Sequence, residues 1–295
     1  MKTVIKLLLL TCFSTILFWG CEESLTNADL TDEEALDLLI TDRQDYFDSQ
    51  NHYGEEDTTN VRLEFREPIN TFFWFRELQT ASVNYNIQIT GDSAYVEFTG
   101  EFTGELNLFA AEEPVEIFLK DFDEHSARNA IFKRLEDVDE DPLTRRGWRL
   151  TNVTGAETGP GNQSVRIDSV RLNCYSYPDT VFIDPTTMFS KEDLITLYPE
   201  ERCSLTVYTN FDGIVERDLV FLHSWRRFVP HFRTRFEFVE DGVYAGVWLA
   251  PANSGNALNK VHHAAFDMIK YETLLDDEYE YDSNAWSFPY KVSVE

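Results

Sequence analysis

The sequence contains few cysteines and few basic residues. Four cysteines occur in 295 residues, and none of their spacings is that of a zinc site or a redox-active CxxC motif. Lysine and arginine together number 25 against 53 aspartates and glutamates, which makes the formal net charge −28. A chain this acidic repels phosphate groups, so the composition disfavours binding to nucleic acid or to an anionic membrane face.

Catalytic motifs with fixed spacing are also missing. The sequence has no phosphate-binding loop, no Gly-rich dinucleotide fingerprint, no Gly-x-Ser-x-Gly elbow and no His-Glu-x-x-His helix. Among six histidines only His262 and His263 are adjacent, and adjacent side chains on a strand point to opposite faces. The acidic stretches at 137–141 and 276–284 lack the spacing of a calcium-binding loop. We therefore predict neither a metal site nor a cofactor.

An apolar segment lies at the N-terminus. Lys2 and Lys6 flank the start of a leucine-rich segment that ends in Phe18-Trp19-Gly20-Cys21, which is typical of a secretory signal peptide over residues 1–20. The ending resembles the lipobox of bacterial lipoproteins, although Phe18 and Trp19 are bulkier than the usual residues. The resemblance implies cleavage before Cys21, lipidation of Cys21 and a membrane-anchored protein in the cell envelope, facing the periplasm or the cell surface. Cleavage by an ordinary signal peptidase and an uncleaved anchor are the alternatives.

Two cysteines remain once Cys12 and Cys21 are assigned to this segment. In an exported chain Cys174 and Cys203 are expected to form a disulfide. Two free thiols within a β core are the alternative.

Composition changes divide the rest of the chain. Residues 21–30 are polar and short, which predicts a lipidated tether, and a Gly-rich break over 155–164 predicts a boundary between domains at 31–157 and 164–295, with a linker at 158–163. Thr31 and Glu34 fit a capping box, which predicts a helix from Asp32 to Asp48. A second, short helix is predicted from Asn70 to Leu78, and alternating strands follow.

The first domain is predicted to be a helix followed by a long, bent antiparallel sheet. Gly100 and Gly104 occupy the apolar register of one long strand, where missing side chains allow a bend. This order of elements, with its closing hairpin at Trp148, resembles the family of nuclear transport factor 2 and ketosteroid isomerase. The resemblance implies an α+β cone with a pocket between helix and sheet, a fold shared by enzymes and by non-catalytic binding modules.

The second domain is predicted to be all β. Its segment Asp241-Gly242-Val243-Tyr244 resembles the tyrosine corner of immunoglobulin-like sandwiches. The resemblance implies an immunoglobulin-like β-sandwich over 164–295, in which the phenol of Tyr244 bonds to a nearby backbone group.

The candidate ligand-binding residues lie in a basic segment of this second domain. The segment contains His223, Arg226, Arg227 and His231, a candidate anion-binding patch. The alternative is that its arginines balance acidic groups of the same protein.

For function, we favour a non-catalytic envelope lipoprotein that contacts the membrane through its lipid. At the membrane surface it either binds a protein or small molecule or has a structural role. The alternative is an enzyme with an acid/base group in the pocket of the first domain, such as Glu97, Glu101 or His125. The strand register sends Glu97 and Glu101 away from the apolar face, which counts against these two. A carboxylate with a raised pKa inside the pocket would favour the enzyme.

Overall fold

A computed structural model describes residues 30–47, 52–53, 72–110, 116–135, 144–212, 217–226, 229–252, 260–276 and 278–294. The predicted signal peptide, Cys21 and almost all of the tether lie outside these residues. Within them, two α-helices and sixteen strands are found. The helices are α1 (Asp32–Asp42) and α2 (Tyr271–Leu275), and a 3-10 turn (Gln44–Tyr46) follows α1. The strands are β1 (Phe72–Thr90), β2 (Ser93–Ala110), β3 (Glu116–Arg134), β4 (Trp148–Thr154), β5 (Ala156–Gly159), β6 (Ile167–Asn173), β7 (Thr180–Phe182), β8 (Met188–Ser190), β9 (Ile195–Leu197), β10 (Arg202–Thr209), β11 (Leu219–Arg226), β12 (Val229–Arg235), β13 (Glu237–Glu240), β14 (Val243–Leu249), β15 (Val261–Ile269) and β16 (Ser283–Val292).

The predicted fold class is wrong. The described part of the chain is mostly β, with 62% of its residues in strands and 9% helical. Its strands form two sheets that are antiparallel except where β9 pairs with β16. The only described helix of seven or more residues is α1, so the chain is not an α+β cone followed by a separate immunoglobulin-like sandwich. The aromatic run predicted as a helix from Asn70 to Leu78 instead begins β1 at Phe72.

One large sheet joins the two halves of the chain. Its eleven strands follow the order β1-β2-β3-β5-β16-β15-β11-β12, with β4, β8 and β9 attached at the side. The short strand β5 pairs with β3 on one edge and with β16 on the other. Residues 158 and 159 of the predicted linker therefore belong to the strand that connects N-terminal to C-terminal strands.

The second sheet has five strands, in the order β13-β14-β10-β6-β7. It packs over β11, β15 and β16, and the two sheets share a hydrophobic core. Trp248 of β14 meets Tyr290 of β16 edge to face, with ring centroids 4.6 Å apart. Tyr244 also bridges the sheets, because its phenol donates to the backbone carbonyl of Asp218 at 2.9 Å. Its partner is thus a residue just before β11 in the large sheet.

Two local predictions are confirmed, the capping box and the disulfide. Thr31 and Glu34 form the capping box, and α1 begins at Asp32. Cys174 and Cys203 form a disulfide, with their Cα atoms 4.4 Å apart. Gly104 lies where a Cβ would come within 2.1 Å of the Glu77 carbonyl oxygen, beside a register shift between Leu78 and Thr80 in β1. That close approach explains why the strand requires glycine there.

The large sheet curls strongly. Arg76 of β1 and Asp267 of β15 are five places apart in strand order, about 24 Å in a flat sheet, yet their side chains are 2.6 Å apart. The last strand also returns to the first, since Arg233 of β12 donates to the carbonyl of Trp74 in β1 at 3.0 Å. The curl encloses an interior in which several buried charged side chains of the described residues meet. No helix in the described ranges has the length and hydropathy needed to cross a membrane.

Candidate functional site

Eight polar side chains meet inside the curled sheet. All are buried, with between 0% and 6% of their surface exposed. They come from the segment before β1, from β1, β3, β11 and β15, and from the start of β16 with the loop that precedes it. We call them the Glu124 cluster: His52, Tyr53, Arg76, Glu124, His223, Asp267, Tyr281 and Ser283.

Glu124 accepts hydrogen bonds from four side chains. One carboxylate oxygen accepts from the Tyr281 hydroxyl at 2.5 Å and lies 2.8 Å from the Ser283 hydroxyl. The other accepts from the Tyr53 hydroxyl and lies 3.1 Å from His52 Nε2. Burial alone would raise the pKa of this carboxyl, but His52, the Arg76 charge and the Tyr281 hydroxyl outweigh it and lower the pKa to about 2. Glu124 is therefore ionised at neutral pH.

Arg76 and Asp267 form the second half of the cluster. Two guanidinium nitrogens of Arg76 donate to the two Asp267 oxygens at 2.6 and 3.0 Å, which is the bidentate geometry of strong charge-assisted pairs. His223 Nε2 lies 2.9 Å from the same carboxylate. Burial opposes ionisation of Asp267, yet Arg76 and His223 hold its pKa well below the usual range. This pair is also ionised.

Tyr281 connects the two halves. Its hydroxyl donates to Glu124 and accepts from Arg76 Nε at 2.6 Å. Burial, together with the nearby Glu124 carboxylate, raises its pKa well above the ordinary value, so the phenol keeps its proton. The result is a continuous chain of hydrogen bonds from Glu124 through Tyr281 and Arg76 to Asp267 and His223.

A surface cleft lies beside the cluster. Its volume is about 410 Å³, within the usual range for ligand pockets. Three carboxylate residues line it, Asp121, Asp123 and Glu280, and Tyr281 is the member of the Glu124 cluster that reaches its wall. Lys120 also contributes, but its ammonium group donates to the backbone carbonyls of Asp276 and Tyr279. Lys120 thereby holds the loop before β16 against β3.

The chemistry of the cluster is that of a closed electrostatic network. A general acid or base needs a pKa near the working pH, whereas the pKa of Glu124 is displaced downward and that of Tyr281 upward. Both groups therefore keep one protonation state across the physiological range. Buried charges are tolerated when they are paired and hydrogen-bonded, as they are here.

Metal binding fits poorly. Among the described residues, three possible ligands converge at Cys174, Glu201 and Cys203. The two sulfur atoms are bonded to each other, and Glu201 accepts hydrogen bonds from the backbone N–H groups of Ser176 and Tyr198 at 2.8 Å. These groups already have partners, so the site offers no thiolate to a metal.

The predicted acid/base candidates lie outside the cluster. Glu97, Glu101 and His125 are exposed, and for the two glutamates this is the outward orientation that the register predicts. The structure instead buries Glu124, the immediate neighbour of His125.

The residues of the candidate anion-binding patch are not brought together in one described surface. His223 is 1% exposed and belongs to the Glu124 cluster, so it is not part of a basic surface loop. Arg226 lies in β11 and His231 in β12. Arg227 lies outside the described residues.

The sequence contains a signal for Glu124 that the prediction missed. Phe122, Ala130 and Phe132 of β3 alternate in the inward register, and all are buried. Continuing that alternation places Glu124, Ser126 and Arg128 on the same inward face. Polar residues in an apolar register indicate a buried polar network, although the pattern does not show which strands supply the partners.

Comparison with known proteins adds no family. Neither a scan against protein-family models nor a search of curated proteins gives a match to this chain.

Proposed function

We propose that this chain is a non-catalytic lipoprotein of the bacterial cell envelope, held at the membrane by a lipid on Cys21 and serving a binding or structural role there. The N-terminal sequence supports the anchor. The cluster geometry supports the non-catalytic role, and the observation that carries it is Glu124, a buried carboxylate bonded to four side chains. Such a group stabilises the curled sheet and has no proton to exchange near neutral pH.

The enzyme alternative requires a carboxylate with a raised pKa in the cleft, and Asp218 is the group to consider. Burial raises the pKa of Asp218 to about 6. Its Oδ1 atom accepts the Tyr271 backbone N–H at 2.9 Å, and it is not among the residues that line the cleft. Asp218 directly precedes β11 and lies outside the cleft lining, so its raised pKa gives no support to catalysis in the cleft.

The anchor is tested by Cys21→Ser, with Cys12→Ser as the matched control. Cleavage before Cys21 removes Cys12 from the mature protein, so of these two cysteines only Cys21 remains after processing. In cells fed a radiolabelled fatty acid, we expect the wild type and the Cys12 variant to carry label and to sediment with membranes. The Cys21 variant should carry no label and appear in the soluble extracytoplasmic fraction. A labelled, membrane-bound Cys21→Ser protein would show that the anchor is elsewhere.

A further inference from the structure

The outer face of β1, β2 and β3 carries an apolar surface at one end. Strand register places Phe73, Phe109 and Ile117 side by side. In the next row it places Asn107 on β2 between Phe75 on β1 and Leu119 on β3. The three phenylalanine rings contact one another, with centroids 5.8 to 5.9 Å apart. Ile117 is 58% exposed and Leu119 57%. We call the five apolar residues of these two rows the distal patch, and exposed apolar patches of this kind mark interaction sites.

The patch lies at the end of the sheet opposite to Leu30, the last residue of the predicted tether. Leu30 is held at the far end of β3, where its carbonyl accepts from Arg146 and where Arg134 pairs with Asp32. From Ile117 to Arg134 the strand runs ~55 Å, at about 3.3 Å per residue. The tether from Cys21 to Leu30 reaches at most ~32 Å. An upright protein therefore presents the patch away from the bilayer.

Carboxylates border the patch on the same face. The next row across the three strands consists of Glu77, Glu105 and Asp121, and Asp123 follows on β3. Within the described part of the chain, none of these four has an ion-pair partner. Like charges directly opposite each other destabilise a sheet, so a cationic partner would relieve this row. The row also continues into the acidic cleft, which Asp121 and Asp123 line.

The acidic border distinguishes between the molecules that could bind the distal patch. A second copy of the chain would bring the same carboxylates and a net charge of −28 against the patch. Anionic lipid headgroups would be repelled in the same way. A protein partner with apolar side chains next to lysines or arginines complements both the patch and its border.

We propose that the distal patch and its acidic border dock a polypeptide segment of a partner protein, in which apolar side chains contact the patch and adjacent lysines or arginines face the carboxylates. The proposal rests on the binding role proposed above and names the class of partner. Its apolar part supplies affinity, and the carboxylates select against uncharged and acidic segments.

The test uses a fluorescent synthetic peptide in which a block of leucine and phenylalanine is followed by a block of lysines. Two control peptides replace the lysines by glutamates or the apolar block by serines. Binding is measured by anisotropy with the full-length protein in neutral phosphatidylcholine nanodiscs. We expect the lysine peptide to bind and both control peptides to bind about tenfold more weakly or worse.

Two double variants locate the site. Ile117→Ser with Leu119→Ser should weaken binding about tenfold, and Glu105→Gln with Asp121→Asn should weaken it less and reduce its salt dependence. Matched controls are Val247→Ser with Leu249→Ser, two exposed apolar residues on β14, and Glu237→Gln with Glu240→Gln, two exposed acids on β13. Both controls should bind as the wild type does. An unchanged thermal midpoint shows that each variant is folded.

Several results would overturn the proposal. The first is a failed binding test. The lysine and glutamate peptides bind equally, neither of them binds, or the patch variants bind the lysine peptide as tightly as the control variants do. The second is a dimer in sedimentation velocity that the Ile117/Leu119 variant abolishes, which would assign the patch to a second copy. The third is flotation of Cys21→Ser protein on phosphatidylglycerol vesicles that the same substitutions abolish, which would assign it to lipid. If the protein is acylated at Cys21 but does not bind the peptide, the docking proposal fails and the anchor proposal stands. If the protein binds the peptide but is not acylated, the anchor proposal fails and the docking proposal stands.

Discussion

Replacing Glu124 by glutamine tests whether the interior network stabilises the fold as proposed. Glutamine keeps the size of the side chain and one acceptor oxygen, but it removes the charge and places an NH₂ group against hydroxyl donors. Lowering a pKa from 4.5 to about 2 corresponds to about 3 kcal/mol, because each pH unit is worth about 1.4 kcal/mol. Glu124→Gln should therefore reduce the free energy of unfolding by about 3 kcal/mol at neutral pH.

The pH dependence gives the sign of the effect. The pKa of Glu124 is lower in the folded state than the ordinary 4.5, so its contribution is complete above that pH and is lost as pH falls toward 2. Glutamine does not titrate. The stability gap between wild type and variant should thus be largest at neutral pH and should close in acid, while the titration of Asp267 is common to both proteins.

Urea unfolding followed by tryptophan fluorescence measures this gap at neutral pH and at two acidic values. Glu101→Gln is the matched control, since Glu101 is exposed on the neighbouring strand and should change stability by less than about 0.5 kcal/mol. A loss below about 1 kcal/mol at neutral pH, or a gap that stays constant into acid, would refute the assignment of Glu124 as an ionised, stabilising carboxylate.

Two further predictions concern stability. Asp218→Asn should stabilise the protein above about pH 6, because burial raises the Asp218 pKa from 3.8 to about 6 and the folded state loses stability as that carboxyl ionises between these values. In thermal unfolding near pH 8, the variant should be more stable than the wild type by up to about 3 kcal/mol, and near pH 4 the two should differ little. A variant that is less stable than the wild type near pH 8 would contradict the burial argument. Replacing both Cys174 and Cys203 by serine opens a loop with a sequence separation of 29 and should cost about 3–4 kcal/mol in the chain-entropy estimate. Denaturant unfolding of the wild type with and without reductant measures this cost, and thiol labelling shows whether the reductant has broken the disulfide. An unchanged free energy of unfolding in protein whose disulfide is broken would contradict the prediction.

The local predictions that succeeded depend on residues close in sequence. A capping box needs only Thr31 and Glu34, and the alternation in β2 is a property of successive residues. The aromatic run after Phe72 failed as a helix prediction because the pairing of β1 with all of β2 decided its conformation. Tertiary pairing overrides weak local preference in such segments.

The architecture required information that no local pattern carries. The prediction of two separate folds failed because β5, only four residues long, joins β3 to β16. A strand that short has no distinctive periodicity, and a Gly-rich segment such as 155–164 suits a boundary and a close approach of strands equally well.

The sequence by itself determined the acidic charge, the signal-like N-terminus, the cap of α1 and the inward and outward faces of β2. Only the tertiary structure brought Arg76 to Asp267 across 191 residues and Tyr281 to Glu124 across 157, and only it aligned Phe73, Phe109 and Ile117 in one row. The physical reason is that periodicity assigns a side chain to a face, whereas the partner it meets there depends on which strands pair and how far the sheet curls.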